Sequence, residues 1–242
     1  MTSIAVALVA GSPQRAAVFR HSVGHDRPPR VRCPACARRL LPERAGEWPA
    51  LWPTGRCPNC AVPIGPPPLS VELMTALLLL SLAAGIASPG ELAAFGWLAV
   101  LAVPLAFVDL AVYRLPDRLT LPAYAGFIAL LSVTALTEQR SGDLARAVLG
   151  GLVLGAFYLL LFLINPAGVG LGDAKLALAL GSAMGWLGWT HLLTGTFLTY
   201  LLGGLYGVLL IALRRAHRKT EIPFGPFMII GAFGAVLVGA GL

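Results

Sequence analysis

The sequence predicts an all-α membrane protein whose helices cross a bilayer several times, with a small cysteine-containing segment outside the membrane. Of the 242 residues, 57% are hydrophobic and only 12% are charged, and the mean hydropathy is +0.79. Apolar runs near the roughly 20 residues that a bilayer requires recur along the chain. Soluble domains carry about a quarter charged residues, so that class is disfavoured. Disordered chains are far less apolar, so disorder is excluded.

Seven membrane spans are predicted, and together they make up a membrane domain over residues 71–242. The fifth span is short and follows a glycine-rich loop. The spans are Val71–Ser88, Leu92–Val108, Leu119–Thr137, Leu144–Ile164, Ala174–Leu187, His191–Leu213 and Ile222–Leu242.

An eighth span at the N-terminus is uncertain from the sequence. The apolar run Ile4–Ala10 is followed directly by Gly11, Ser12 and Pro13. No basic region precedes it, so a signal peptide is not indicated. Residues 1–20 are therefore interpreted as a degraded or clipped first membrane segment.

The basic residues predict the orientation of the chain. If residues 15–70 are cytoplasmic and sides alternate at each span, all 18 basic residues fall inside except Arg140 and Arg146. This is the distribution that the positive-inside rule describes. It places the cysteine segment in the cytoplasm and the C-terminus outside. It also accounts for the net charge of +7, so no nucleic-acid partner is expected.

All four cysteines lie in the polar segment over residues 21–70. They occur as Cys33-Pro-Ala-Cys36 and, twenty residues later, Cys57-Pro-Asn-Cys60. Two CxxC turns at this spacing are typical of a zinc ribbon, and four thiolates would close the coordination shell of a structural ion. A pair of disulfides is the alternative, but it conflicts with a reducing cytoplasm.

Two acidic residues stand at the ends of predicted spans, where a charge is costly. Asp109 follows one span and Asp173 precedes another, with two spans between them. An even number of crossings returns both aspartates to the same, cytoplasmic face. Two nearby carboxyl groups cannot both ionise easily, which gives the acid and base of an aspartic protease. The alternative is that each is a solvated residue at a helix end.

Four neighbouring residues complete the candidate site. Gly170 and Gly172 expose bare backbone that a substrate chain could approach closely. Asp117 lies on the same face and is a candidate N-cap for the span that follows it. Lys175 could tune the charge of Asp173 or extend its amine to the membrane interface.

Gly170-Leu171-Gly172-Asp173-Ala174-Lys175 resembles the GxGD signature of the prepilin peptidases, the type IV leader peptidases among the GxGD membrane aspartic proteases. The chain also contains, in that family's order, paired CxxC motifs and three further segments. The agreement covers roughly residues 33–242. The segments are Val71-Glu72-Leu73, Asp109–Pro122 and Ile222–Phe227.

The resemblance implies that Asp109 and Asp173 are the catalytic pair and that proteolysis needs no metal. It implies substrates of the prepilin or pseudopilin class, with a basic leader in the cytoplasm and an apolar stem in the bilayer. The family's cut follows a glycine at that boundary. The implied location is the cytoplasmic (inner) membrane of a bacterium.

One region departs from the family pattern. Gly11-Ser12-Pro13-Gln14-Arg15 is a remnant of a GSFLN-type motif, with proline in place of an aromatic residue and arginine in place of asparagine. Many family members also methylate the new N-terminus with S-adenosylmethionine, an activity associated with the N-terminal cytoplasmic region. S-adenosylmethionine is expected as a cofactor only if that activity is retained, and the departure favours cleavage alone.

Three other functions fit parts of the sequence. A transporter would also bury acids, but the repeated halves typical of transporters are not seen. A catalytically inactive, zinc-bearing membrane scaffold is disfavoured by the retention of both aspartates. A methyltransferase without peptidase activity is disfavoured by the altered N-terminal motif.

Overall fold

The computed structural model of the chain describes residues 2–24, 27–41, 54–166, 168–214 and 223–239. Their regular secondary structure is helical, with two isolated β-bridges in the cysteine segment, which confirms the predicted all-α class. The helices are α1 (Thr2–His21), α2 (Ser70–Gly85), α3 (Pro89–Val112), α4 (Asp117–Thr137), α5 (Ser141–Ile164), α6 (Leu171–Leu187), α7 (Trp189–Ala212) and α8 (Gly225–Gly239).

Each of the seven predicted spans coincides with a helix, but the helices differ in length. Among the described residues, α3, α4, α5 and α7 are long and apolar enough to cross a membrane, by length and composition. Helices α2 and α8 are shorter and apolar, and α6 has 17 residues. Both ends of the predicted last span, Ile222 and residues 240–242, lie outside the described residues.

Helix ends extend beyond the apolar runs because caps, not hydropathy, determine them. Ser88 accepts a hydrogen bond from the backbone N–H of Glu91, and Pro89 occupies the first turn, so α3 begins three residues before the predicted span. Its end is set by Tyr113, in the left-handed conformation with φ of 53°. Asp109 therefore lies inside the last turn of α3.

At the N-terminus, α1 is one helix that continues through Gly11 and Pro13. It packs on α2 and α3. The buried guanidinium of Arg15 holds both carboxylate oxygens of Glu72, at 2.6 and 2.7 Å. Two more bonds join Arg15 to the carbonyl oxygens of Pro66 and Pro67, at 3.1 and 3.0 Å. Arg15 thereby links α1, α2 and the end of the cysteine segment.

Helices α5 and α6 make the closest packing in the bundle, and glycines on both allow it. An added Cβ at Gly181 would lie 2.6 Å from the carbonyl oxygen of Gly150, and one at Gly185 would lie 2.8 Å from that of Arg146. Small residues at spacing four permit this kind of backbone contact between membrane helices. The position of α6 is consequently fixed by its contact with α5.

A second set of polar contacts joins α3, α5 and α6 at the end of the bundle opposite Asp109 and Asp173. We call it the polar staple; its members are Glu91, Arg140, Asp143, Arg146 and Trp186. Arg140 pairs with Glu91 and Asp143, and Arg146 pairs with Asp143 at 2.7 Å. Arg146 also donates to the carbonyl oxygens of Gly185 and Trp186, which end α6. The staple therefore caps α6 and ties it to two other helices.

Substituting Gly181 tests the contact between α5 and α6. We expect Gly181→Ala to lower the stability of the detergent-solubilised protein by about 1–3 kcal/mol, because its methyl group would overlap backbone atoms of α5. Thermal unfolding measures the change. Gly204→Ala is the matched control, since an added Cβ there meets no atom within 4 Å. Equal melting temperatures for the two variants would contradict the packing argument.

The ion pair of Arg15 with Glu72 gives a second prediction. Arg15→Met leaves a carboxylate buried without its partner, so we expect a loss of about 3–5 kcal/mol in unfolding free energy. The double variant Arg15→Met/Glu72→Leu removes both charges and is expected to recover most of that loss. A double variant no more stable than Arg15→Met would show that the two side chains are not coupled.

Candidate active site and cysteine cluster

Asp109 is buried, with 4% of its surface exposed, in the last turn of α3. Its Oδ2 accepts a hydrogen bond of 2.9 Å from the backbone N–H of Gly225, the first residue of α8. A Cβ added to Gly225 would lie 2.9 Å from that same oxygen. Glycine is thus the residue that lets the start of α8 reach the carboxylate.

Asp173 is the third residue of α6 and is 8% exposed. Its Oδ2 accepts the backbone N–H of Gly170 at 2.9 Å, which orients the carboxyl group across the start of the helix. The predicted span began one residue later, but the carboxyl group belongs to the helix itself. A carboxylate in the first turn also interacts favourably with the helix dipole.

The two carboxyl groups lie at the same end of the bundle, Asp109 in the last turn of α3 and Asp173 in the first turn of α6. Helix α8 packs on both of these helices. Both aspartates have one oxygen fixed by a backbone N–H of a glycine. The arrangement supplies two buried carboxyl groups at one end of the bundle, each oriented by a backbone N–H. An acid and a base held in this way are what hydrolysis by a bound water uses.

The glycine and the lysine beside Asp173 make contacts within the protein. An added Cβ at Gly172 would lie 3.0 Å from the Cβ of Leu115, in the loop between α3 and α4, so this glycine permits close packing of α6. Lys175 Nζ donates to Asp117 Oδ1 at 2.7 Å. Asp117 is the first residue of α4, whose N-cap is Pro116. The N-cap prediction for Asp117 is wrong, because its carboxylate faces α6 instead.

Aromatic side chains surround the same end of α6. The Tyr158 and Tyr200 rings are stacked with centroids 6.2 Å apart, and Phe224 lies 5.3 Å from Tyr200. Tyr158 lies beside the start of α6, because Gly155, one turn earlier on α5, contacts Ala174 there. No sequence pattern marks these rings, since single aromatic residues are common in and beside apolar helices.

The four cysteines form a compact cluster built from two similar turns. In the first, the Cys33 N–H donates to the carbonyl oxygen of Arg38, and the second repeats this bond from Cys57 to Val62. All four thiols are free. The Sγ atoms all lie within 4.8 Å of one another, with Cys33 to Cys60 and Cys36 to Cys57 at 3.7 Å.

This geometry suits one tetrahedral metal ion. Bonds of about 2.3 Å from a central ion to sulfur place neighbouring sulfur atoms about 3.8 Å apart. Backbone N–H groups favour thiolates at two of the four positions: that of Arg38 lowers the pKa of Cys36 to about 6, and those of Cys60 and Asn59 lower the pKa of Cys57. The N–H of Val62 acts in the same direction on Cys60, but burial and the three neighbouring thiols raise the pKa of Cys60 to about 12. The residues predicted as ligands can therefore hold a metal ion.

Two contacts near the site could not have been found by spacing. The N–H of Gly225 bonds to Asp109, which lies 116 positions earlier in the chain. The only sequence feature that pointed to Gly225 was the IPFGP segment that contains it. Arg15 was noted only as a departure from a motif. The signal that could have found its pairing with Glu72 is that each is an isolated charge beside an apolar run.

Comparisons with known proteins point to a single family. The model of the type IV leader peptidase family matches residues 92–208, which include both aspartates. A protein of Aeromonas hydrophila named prepilin leader peptidase/N-methyltransferase is 39% identical over 217 residues, covering 87% of this chain and 72% of the relative. Proteins with the same name from Pseudomonas aeruginosa and Burkholderia pseudomallei are each 33% identical over 87% of this chain, covering 72% and 68% of those relatives. No solved structure matches the chain.

Proposed function

The chain belongs to the type IV leader peptidase family, and on this premise we propose that Asp109 and Asp173 are the catalytic pair with which it cleaves the leader peptides of type IV prepilins. The observation that supports the assignment is the burial of two carboxyl groups at the same end of the bundle, each oriented by a backbone N–H. The relatives' names supply the substrate class.

The proposed mechanism moves protons through the pair. One carboxylate removes a proton from a water molecule as its oxygen attacks the scissile carbonyl carbon. The other carboxyl group, protonated, donates a hydrogen bond to the carbonyl oxygen. As the tetrahedral intermediate collapses, the C–N bond breaks and the leaving amine takes a proton from the pair. The acid and base roles are assigned to the two carboxyl groups together.

We place the reaction at the cytoplasmic face of a bacterial inner membrane. The distribution of basic residues supports this orientation, with the cysteine segment inside and the C-terminus outside. Both aspartates lie at helix ends on one side of the bundle. A substrate with a cytoplasmic basic leader and a membrane-embedded apolar stem, prepilin or pseudopilin, would present its cut site at that level.

Removing either carboxyl group tests the assignment. We expect Asp109→Asn and Asp173→Asn each to lower prepilin cleavage at least about 100-fold in membranes, because neither amide can act as base or acid. The readout is the mobility shift of a leader-bearing prepilin. Glu138→Gln, an acid-to-amide change at the opposite end of the bundle, is the control and should cleave normally. Full processing by either aspartate variant would refute the pair and favour an inactive scaffold.

The relatives' names also include N-methyltransferase, which uses S-adenosylmethionine. In this chain the residues of the N-terminal motif bond within the protein: all three guanidinium nitrogens of Arg15 donate to protein oxygens. Gln14 donates to the carbonyl of Val100 and accepts from Thr75. These two side chains do not fit a binding role for that cofactor, so leader cleavage alone is the proposed activity.

Mass spectrometry of the mature prepilin tests this proposal. We expect its new N-terminus to carry no added methyl group.

For the cysteine cluster we propose structural zinc bound by Cys33, Cys36, Cys57 and Cys60. Four thiolates leave no open coordination position, so the ion would stabilise the segment and take no part in hydrolysis.

Elemental analysis of the purified protein tests the zinc site. We expect one zinc ion per chain, lost in Cys57→Ser and retained in Asn59→Ala, whose side chain lies in the same turn without a thiol. A loss of zinc should also destabilise the segment, since binding energy contributes to folding. Metal-free wild-type protein with intact thiols after purification in zinc would contradict the proposal.

A further inference from the structure

We propose that Phe157, Tyr158, Tyr200 and Phe224, here called the aromatic shelf, form the subsite that receives a large apolar side chain on the membrane side of the scissile bond. This inference rests on the proposed function, because it assigns a part of the same substrate to a part of the same site.

The aromatic shelf is a contiguous surface contributed by three parts of the chain. Phe157 and Tyr158 come from α5, Tyr200 from α7, and Phe224 immediately precedes α8. The Tyr200 ring lies 6.2 Å from Phe157, 6.2 Å from Tyr158 and 5.3 Å from Phe224. Helix α5 packs mainly on α6 and α7 mainly on α8, so these rings bridge two separately packed helix pairs.

The shelf adjoins both aspartates. Phe224 is bonded in sequence to Gly225, whose N–H donates to Asp109. On the other side, α5 contacts the start of α6 one turn before Tyr158: a Cβ added to Gly155 would lie 3.6 Å from the carbonyl oxygen of Ala174, the residue after Asp173. A substrate side chain resting on the rings would therefore lie next to the carboxyl groups that act on its backbone.

Burial divides the shelf into a floor and an open side. Tyr158 is 1% exposed, whereas Tyr200 is 38% and Phe157 41% exposed. The neighbouring surfaces are apolar as well, with Leu160 on α5 and Leu201 on α7 both exposed. An opening lined by apolar groups within the bilayer suits an apolar segment better than a polar chain.

Depth in the bundle decides which side of the cut the shelf would contact. Tyr158 lies six residues before the end of α5, about 9 Å below the helix end at the rise of an α-helix. The leader of the substrate lies in the cytoplasm and its stem in the bilayer. The shelf is therefore assigned to the first side chain on the stem side of the cut.

The test compares two prepilins that differ only in the residue after the cut, leucine in one and alanine in the other. Wild-type enzyme in membranes is expected to cleave the leucine substrate with the higher kcat/KM. Tyr200→Ala should reduce that preference roughly tenfold or more, through the leucine substrate, because an apolar subsite discriminates by such factors. Tyr200→Phe keeps the ring and should retain the preference.

Tyr206→Ala is the matched control. Tyr206 lies on the same helix, is 41% exposed and has its ring 5.4 Å from Phe227, much as Tyr200 contacts Phe224. This variant should keep the leucine preference. Cleavage of the alanine substrate shows that each variant is folded. If Tyr200→Ala does not accumulate in the membrane, Phe157→Ala tests the same exposed side of the aromatic shelf.

An unchanged preference in both Tyr200→Ala and Phe157→Ala, or an equal loss for both substrates, would overturn the subsite while leaving the peptidase intact. Failure of wild-type enzyme to cleave either prepilin would overturn the proposed function together with the subsite.

Discussion

Two carboxyl groups buried at one end of a helical bundle are the constraint on which the rest of this structure depends. A buried carboxylate is costly unless donors satisfy it, and here each receives a backbone N–H, from Gly225 or Gly170. The donor for Asp109 requires glycine, because a Cβ at position 225 would meet the carboxylate. This hydrogen bond holds the start of α8 beside the end of α3. Because α8 also packs on α6, the two carboxyl groups and the packing of these three helices depend on each other.

The opposite end of the bundle secures α6, which carries Asp173. Arg146 holds the last carbonyl groups of this helix, and the glycine contact with α5 fixes its distance. The polar staple also explains the two exceptions to the charge distribution. Arg140 and Arg146 are the basic residues assigned outside, and both pair with Asp143. Their charges are locally neutralised, so they oppose the predicted orientation less than free cations would.

The sequence predicted most of the fold and the location of Asp109 and Asp173 at one end of the bundle, for identifiable physical reasons. Hydropathy located seven helices because apolar length is a local property, and counting spans between Asp109 and Asp173 placed both at one end. Helix ends were less accurate because caps such as Ser88 lie outside the apolar runs.

Contacts between distant segments were not predictable from spacing. The pairing of Asp117 with Lys175 depends on how α4 sits against α6, which no local pattern encodes. The pairing of Arg15 with Glu72 and the contact of Gly225 with Asp109 are of the same kind. The zinc-ribbon spacing was informative because both halves of the cluster are local turns, and a metal site needs only that the two turns meet.

The cysteine segment and the aspartate pair lie at the same end of the bundle, and α1 connects them. Arg15 bonds to the carbonyl oxygens that follow the second cysteine turn, while Gln14 bonds to α3, the helix of Asp109. Arg114, in the loop after α3, donates to the carbonyl oxygens of Val23 and Gly24, near the start of the segment. The segment is thus held at both of its ends to the elements that position Asp109. A metal closed off by four thiolates performs no hydrolysis, so its contribution to the site would be to keep this support rigid.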